Sequence, residues 1–505
     1  MSPAPAGRLH RAVGIETEYG ITSAHLAPGR DGAPLSVEEA VREVFRDVSS
    51  PRSGTHRFTA AGARLYIDVG MHPEYAGPEC VWTTDVVAQD LAGDAVLASM
   101  TRIANARLES RGARIHLLKS NTDAWGATFG CHENYQVRRD AALPMGGLVG
   151  LLAARQILAG AGALPIDRGG RADADGGNGT AGPLGASGAG GADGADDADG
   201  ADGADGADHP LGPMRYSARA DHVHGATSAD PTRERAFVNT RDEPHADASR
   251  WRRLHVVAAD SAVSPWTTAL KVVLMDAALT LVERGEWSLA ECELAAPARA
   301  ARVWNREPNT PCERADGRSA ITCPELLELV LERLAALPAD ETDELTARVL
   351  DLAGRGARAL RSGQSEPVAT ELDWAIKHRV LARVAERAPA GWRDARVRRA
   401  ELAYHDLSAD AGLREALTSA GLMTPLVAPQ EVTAARARPP RGTRAGLRGR
   451  VVAACERTGR VASIGWAHVR LDNPPRPQID LPDPLRTESE DVETLLDEID
   501  ALGPA

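Results

Sequence analysis

Three short stretches carry most of the side chains able to do chemistry. Residues 14–21 read G-I-E-T-E-Y-G-I and set Glu16 and Glu18 two positions apart. On a strand, residues i and i+2 share a face, so these carboxylates repel one another unless a cation sits between them. Residues 63–80 read A-R-L-Y-I-D-V-G-M-H-P-E-Y-A-G-P-E-C. Here Arg64, Tyr66 and Asp68 alternate with Leu65, Ile67 and Val69, which makes one face polar and the other apolar; His72, Glu74 and Glu79 follow. Residues 121–135 end in H-E-N-Y, where His132 and Asn134 share one face and Glu133 and Tyr135 the other. Hard cations such as Mg²⁺ take oxygen ligands, typically a few carboxylates together with substrate phosphates. Three polar-faced strands of this composition imply a sheet whose concave face holds a metal ion and an anion.

The elements that must position them follow from periodicity. A strand is expected over 12–21, after a loose tail over 1–11. A helix is expected over 36–48, opened by a Ser36/Glu39 capping box. The apolar spacing predicts helices over 85–108, 148–157 and 267–285 and strands over 114–118 and 254–258. A strand over 214–221 would carry Arg219 into the cleft, and residues 239–248 add Arg241 and His245. Packing helices are expected over 324–337, 340–353 and 368–387. His405, in A-Y-H-D-L, reads as a structural histidine. Residues 424–441, rich in Pro, Ala and Arg, mark a boundary. Beyond it lie a helix over 443–455, a strand over 462–471 containing Trp466 and a helix over 489–502. The organisation expected is a catalytic domain over 12–427 and a small C-terminal α/β domain over 428–505.

The chain has 505 residues, 43% of them hydrophobic, ample for more than one core. Its net charge is −13, but nine Asp and one Arg fall within 171–210 and carry eight of those charges. That stretch of repeated G-A-D units has almost no apolar bulk, so residues 168–212 read as a disordered acidic insertion. No basic patch argues for nucleic acid. Lysine occurs only at 119, 271 and 377. The six cysteines form no C-x-x-C pair, so neither zinc nor a disulfide framework is expected. No apolar leader or run of transmembrane length is evident, which implies a cytoplasmic protein without a membrane anchor.

The motifs G-I-E-T-E-Y-G, A-R-L-Y-I-D-V-G-x-H-P-E-Y, N-T-D-x-x-G-x-x-x-G-C-H-E-N-Y and N-T-R-D-E-P-H-A-D-A, in this order, resemble the Pup ligase/depupylase family. The resemblance runs from about 13 to 500, broken by the insertion. It implies an α+β fold of the glutamine synthetase type, a curved antiparallel sheet cradling the active site and packed on helices. It implies an ATP- and Mg²⁺-dependent ligase whose substrate is Pup, a small protein ending in glutamate. The glutamate side chain would be phosphorylated and then joined to a substrate lysine by an isopeptide bond, marking the target for proteasomal degradation. By the same resemblance Asp68 is the base, Glu16, Glu18, Tyr66 and Glu74 hold metal, and Arg64, Arg219, Arg241 and Trp466 serve the nucleotide. His132 and His245 would complete the metal and phosphate shell.

Some residues depart from the family pattern. Ala262 and Pro265 replace an Asn and a Glu, and Gly77 stands where ligases commonly carry Thr. Rival readings are a depupylase or Pup deamidase in the same cleft, a small-molecule carboxylate–amine ligase, and a non-catalytic Pup-binding protein. The short connection over 20–63 and D-V-G after Ile67 favour the ligase.

Overall fold

The computed structural model describes residues 7–48, 56–123, 127–165, 210–230, 234–338, 342–408 and 413–504. The acidic insertion expected over 168–212 lies almost wholly outside them. The main sheet has nine strands, in the order β3 (His56–Phe58), β4 (Arg64–Asp68), β5 (His72–Ala76), β1 (Arg8–Glu18), β8 (Cys131–Arg138), β11 (Trp251–Ala259), β10 (Ala236–Asn239) and β9 (Gly225–Ser228), with β6 (Cys80–Trp82) also on β1. All its pairings are antiparallel except β9 with β10. A separate ribbon joins β2 (Gly20–His25) to β7 (Ala113–Leu118).

One face of the sheet packs on helices. Val13, Ile15, Tyr135, Val137, Leu254 and Val256 meet Leu270, Val273 and Leu274 of the helix Pro265–Glu283 in the largest core. The alternation that buries these residues turns their polar neighbours to the opposite, concave side. Glu133 falls on the core face, where Arg155 neutralises it at 2.7 Å and the Tyr135 hydroxyl donates to it. Residues 447–499 build a smaller cluster of their own, from Leu447 and Val451 to Leu495 and Ile499, around β12 (Ala462–Gly465), β13 (His468–Leu471) and β14 (Ile479–Asp480).

The capping box at Ser36 and Glu39 forms, opening the helix Val37–Phe45. Four sequence expectations are corrected. The first strand starts at Arg8, inside the expected tail, because Leu9 is buried and Arg11 is held by Asp276 and Glu283. Residues 214–221 are a turn and a short 3₁₀ segment rather than a strand. Asp260 gathers the backbone amides of Ala218 and Arg219 and the Ser217 hydroxyl, and this side-chain anchor replaces a ladder. The strand expected over 462–471 is a hairpin, with Trp466 in its turn. Finally, among the described residues one helix, Pro265–Glu283, is long and apolar enough to cross a membrane, yet it is wholly buried within the fold.

Candidate active site

Sheet register brings the polar residues into two adjoining rows. Tyr66 pairs with Glu74, and Glu74 with Glu18, across β4, β5 and β1. One step along, Arg64 pairs with Ala76, Ala76 with Glu16, and Glu16 with His132 on β8. Asn134 then pairs with His255 on β11, and His255 with Asn239 on β10. Strands from both halves of the sheet therefore converge where no single motif could.

Two groups result. Glu18, Asp68 and Glu74 bring a carboxylate oxygen each within 4.8 Å of one another. Glu16, His132 and His255 form the second group within the same span. In the first, burial pushes the Glu74 carboxyl well above its usual range, and the charges of Glu16, Glu18 and Asp68 push further against a hydrogen bond from Tyr66. Burial and Glu18 likewise raise Asp68. In the second group, burial pushes Glu16 up, but a hydrogen bond from His132 and the positive field of the neighbouring basic side chains, Arg253 among them, outweigh it and hold the carboxyl low. Asn134 donates to Glu16 at 2.9 Å, and Arg253 to Asn134 at 3.1 Å. Burial pushes His255 down to about 3, so the ring is neutral at pH 7.

The side chains fit a divalent cation on two counts. Three buried or half-buried carboxylates face one another, with the His132 ring 3.8 Å from Glu18, an arrangement that costs free energy unless further positive charge is supplied. The Nε2 of His255 is buried and makes no hydrogen bond, although it borders Glu16 and His132. A buried polar atom left unpaired costs about 1–3 kcal/mol, which an occupant of this space removes.

The groups expected to meet an anion are distributed less evenly. The guanidinium of Arg64 lies over the Tyr66 ring at 4.5 Å, and its Nε is buried without a partner. Arg219 donates Nη1 to the Val257 carbonyl, and its Nε too is buried and unpaired. Arg241, by contrast, is exposed and commits its Nε to the Ala229 carbonyl at 2.6 Å. His245 is exposed, with φ +49°, and the Glu16 group includes His255 rather than His245. His255 and Arg253 were both missed. Their signal was the two-residue spacing of polar side chains in R-R-L-H on an otherwise apolar strand.

Beside Glu16 an open cleft is lined by Gly14, Gly77, Asn134, His245, Arg253 and Trp466, among others. Its far wall is fixed by Glu79. Arg444 reaches this carboxylate at 2.8 Å and Arg448 at 2.6 Å, both guanidiniums being almost fully buried. Burial pushes Glu79 up, but the two arginines outweigh it and settle the carboxyl at about 2. The same arginines hold the cleft wall. Arg444 donates to the His245 carbonyl at 2.7 Å and Arg448 to that of Trp466 at 2.8 Å. The Arg448 guanidinium also lies 4.9 Å from the centre of the Trp466 ring, whose other neighbour is the edge of Phe58. Ala262 and Pro265 are buried at the start of the helix Pro265–Glu283, where a proline costs no hydrogen bond, so neither faces the cleft.

The profile of the family described as Pup-ligase protein matches residues 11–470. A Pup–protein ligase of Sanguibacter keddieii is 36% identical over 495 residues, covering 96% of this chain and 99% of the relative. One of Xylanimonas cellulosilytica is 37% identical, with the same coverage. Among solved structures, the complex of the prokaryotic ubiquitin-like protein Pup with its ligase PafA aligns at a TM-score of 0.80 and 30% identity, covering 98% of this chain and 93% of that one. PafA in complex with ADP aligns at 0.74 and 30% identity, covering 94% and 96%.

Proposed function

The chain belongs to the Pup-ligase family, and on that premise we propose that it joins the C-terminal glutamate of Pup to lysines of target proteins at the expense of ATP. The observation that carries the site assignment is the meeting of Glu18, Asp68 and Glu74 on the concave face, beside a cleft walled by Trp466.

A carboxylate is a poor acyl donor. In the first step an oxygen of the Pup glutamate side chain attacks the γ-phosphorus of ATP, ADP leaves, and a mixed anhydride forms. Arg64 and Arg219, each with a buried unpaired Nε, would bind the phosphoryl oxygens as negative charge spreads over them. Mg²⁺, with Glu16, Glu18 and Glu74 as its ligands, would neutralise nucleotide phosphate charge when bound. Tyr66 orients Glu74 and His132 orients Glu16 through the hydrogen bonds between them. Adenine would stack on Trp466, which lines the cleft.

In the second step the target lysine attacks the acyl carbon and phosphate leaves. A protonated amine has no lone pair, so a base must take its proton. Asp68 suits this role. It ends the strand β4, stands half-buried at the rim of the carboxylate group, and has its affinity for a proton raised by burial and by Glu18.

A gel assay with purified protein, Mg-ATP, Pup ending in glutamate and a lysine-bearing acceptor tests this reading. An ATP-dependent band heavier than the acceptor is expected. Disappearance of a preformed Pup conjugate instead would make the protein a depupylase.

A further inference from the structure

The chain carries 58 lysine and arginine side chains, of which only Lys119, Lys271 and Lys377 end in a primary amine. All three are buried, with residue exposures of 0%, 2% and 1%. Each amine is also engaged. Lys119 Nζ sits 3.0 Å from both oxygens of Asp90 and 3.1 Å from Asp94, a carboxylate that Arg414 shares. Lys271 Nζ donates to the Asp260 carbonyl at 2.7 Å and meets the Cys131 sulfur at 3.5 Å. Lys377 Nζ donates to the Gly162 carbonyl and contacts His405 Nε2 at 2.8 Å. The cationic surface is arginine, as in the exposed pairs Arg42–Glu38, Arg450–Glu493 and Arg457–Asp500.

The consequence is chemical. Isopeptide formation needs an amine that reaches the acyl carbon and can give up a proton to become a nucleophile. A guanidinium stays protonated at any physiological pH and does not serve. A buried amine would have to leave its partners and take the surrounding fold with it, which amounts to local unfolding.

We propose that this ligase is refractory to its own reaction, because every lysine amine it possesses is sequestered in the core of the catalytic domain. The proposal rests on the ligase reading above and adds to it a rule for acceptors: the lysine must be exposed, not merely present. The abundance of the enzyme would then be independent of its own activity, even when Pup is plentiful and other acceptors scarce.

The test is a prolonged reaction of the purified chain with Mg-ATP and excess Pup, with and without a lysine-bearing acceptor protein, read by intact mass and peptide mapping. Alongside it run three single variants that place a lysine on the surface, Arg42→Lys, Arg450→Lys and Arg457→Lys, at side chains 71%, 50% and 59% exposed. The expected result is a modified acceptor, an unmodified native enzyme, and at least one variant that gains one Pup at the introduced lysine. Native enzyme conjugated at any position overturns the proposal. So does a native enzyme and three variants that all stay unmodified while the acceptor is consumed, since burial would then not be what protects. An acceptor that stays unmodified throughout overturns instead the ligase reading on which the proposal stands.

Discussion

Glu74 and Glu79 stand close together in one stretch of sequence, both shielded from solvent, yet their surroundings move their carboxyls in opposite directions. Around Glu74 stand Glu16, Glu18 and Asp68, and the carboxyl is driven up. Around Glu79 stand Arg444 and Arg448, and it is driven down to about 2. The second cluster is complete in itself and joins three chain segments into the wall of the cleft. The first is internally repulsive and becomes favourable only when positive charge arrives from outside. A fold tolerates such repulsion where function requires it and offsets it elsewhere. The difference separates what holds the cleft together from what works in it.

Removing one partner from each cluster should sharpen that contrast. Glu79→Gln leaves two buried guanidiniums facing one neutral amide. Breaking a buried pair in this way costs about 3–5 kcal/mol. Denaturant unfolding should show that loss, and nucleotide binding should weaken with it as His245 and Trp466 lose their tethers. Glu74→Gln should do the reverse in metal-free buffer, raising the melting temperature by a few degrees while conjugation falls by about 10²-fold or more. A Glu74→Gln protein less stable than wild type in EDTA would contradict the repulsion argument.

The pH dependence of stability separates the clusters in the same way. The Glu79 carboxyl is depressed on folding, so its contribution is present above the ordinary value of 4.5 and is lost as pH falls towards about 2. Glu74 and Asp68 are raised on folding, so the metal-free protein should gain stability as pH falls through their elevated values to the ordinary carboxylate range. Mg²⁺ should flatten that rise. Melting curves from pH 8 to pH 2, in EDTA and in Mg²⁺, read both signs, and coincident curves above pH 5 would mean that the carboxylate group holds no cation.

At the cleft, Trp466→Ala should raise the KM for ATP about tenfold with little change in kcat, because stacking and the Arg448 contact contribute to binding rather than to the transition state. The smallest effect expected is that of Gly77→Thr. A Cβ there would lie 3.1 Å from the Ile15 carbonyl, so the strand must give by a few tenths of an ångström. A gain or loss in nucleotide affinity of no more than about threefold is expected by titration.

Much of this site was legible in the sequence because strand alternation is a local rule. It set Glu16 with Glu18, Tyr66 with Asp68, and His132 with Asn134, and it sent Glu133 to the core. What was not legible depends on which strands become neighbours. Glu18 and Glu74 meet only because β1 pairs with β5, and His255 joins Glu16 and His132 only because β11 lies beside β8. Trp466 was expected within one strand over 462–471, but the hairpin places it in a turn fixed by Arg448. Likewise Asp260 turned residues 214–221 from an expected strand into an anchored loop. Such long-range partners leave no periodic trace.

The most direct test of the central claim is the rate of isopeptide formation by Asp68→Asn, measured in a single turnover with Mg-ATP, Pup and an acceptor, alongside ADP binding. The account predicts a fall of about 10²–10⁴-fold in conjugation with ADP affinity and melting temperature preserved or raised. An Asp68→Asn enzyme that conjugates at the wild-type rate would show that the carboxylate group does not contain the base.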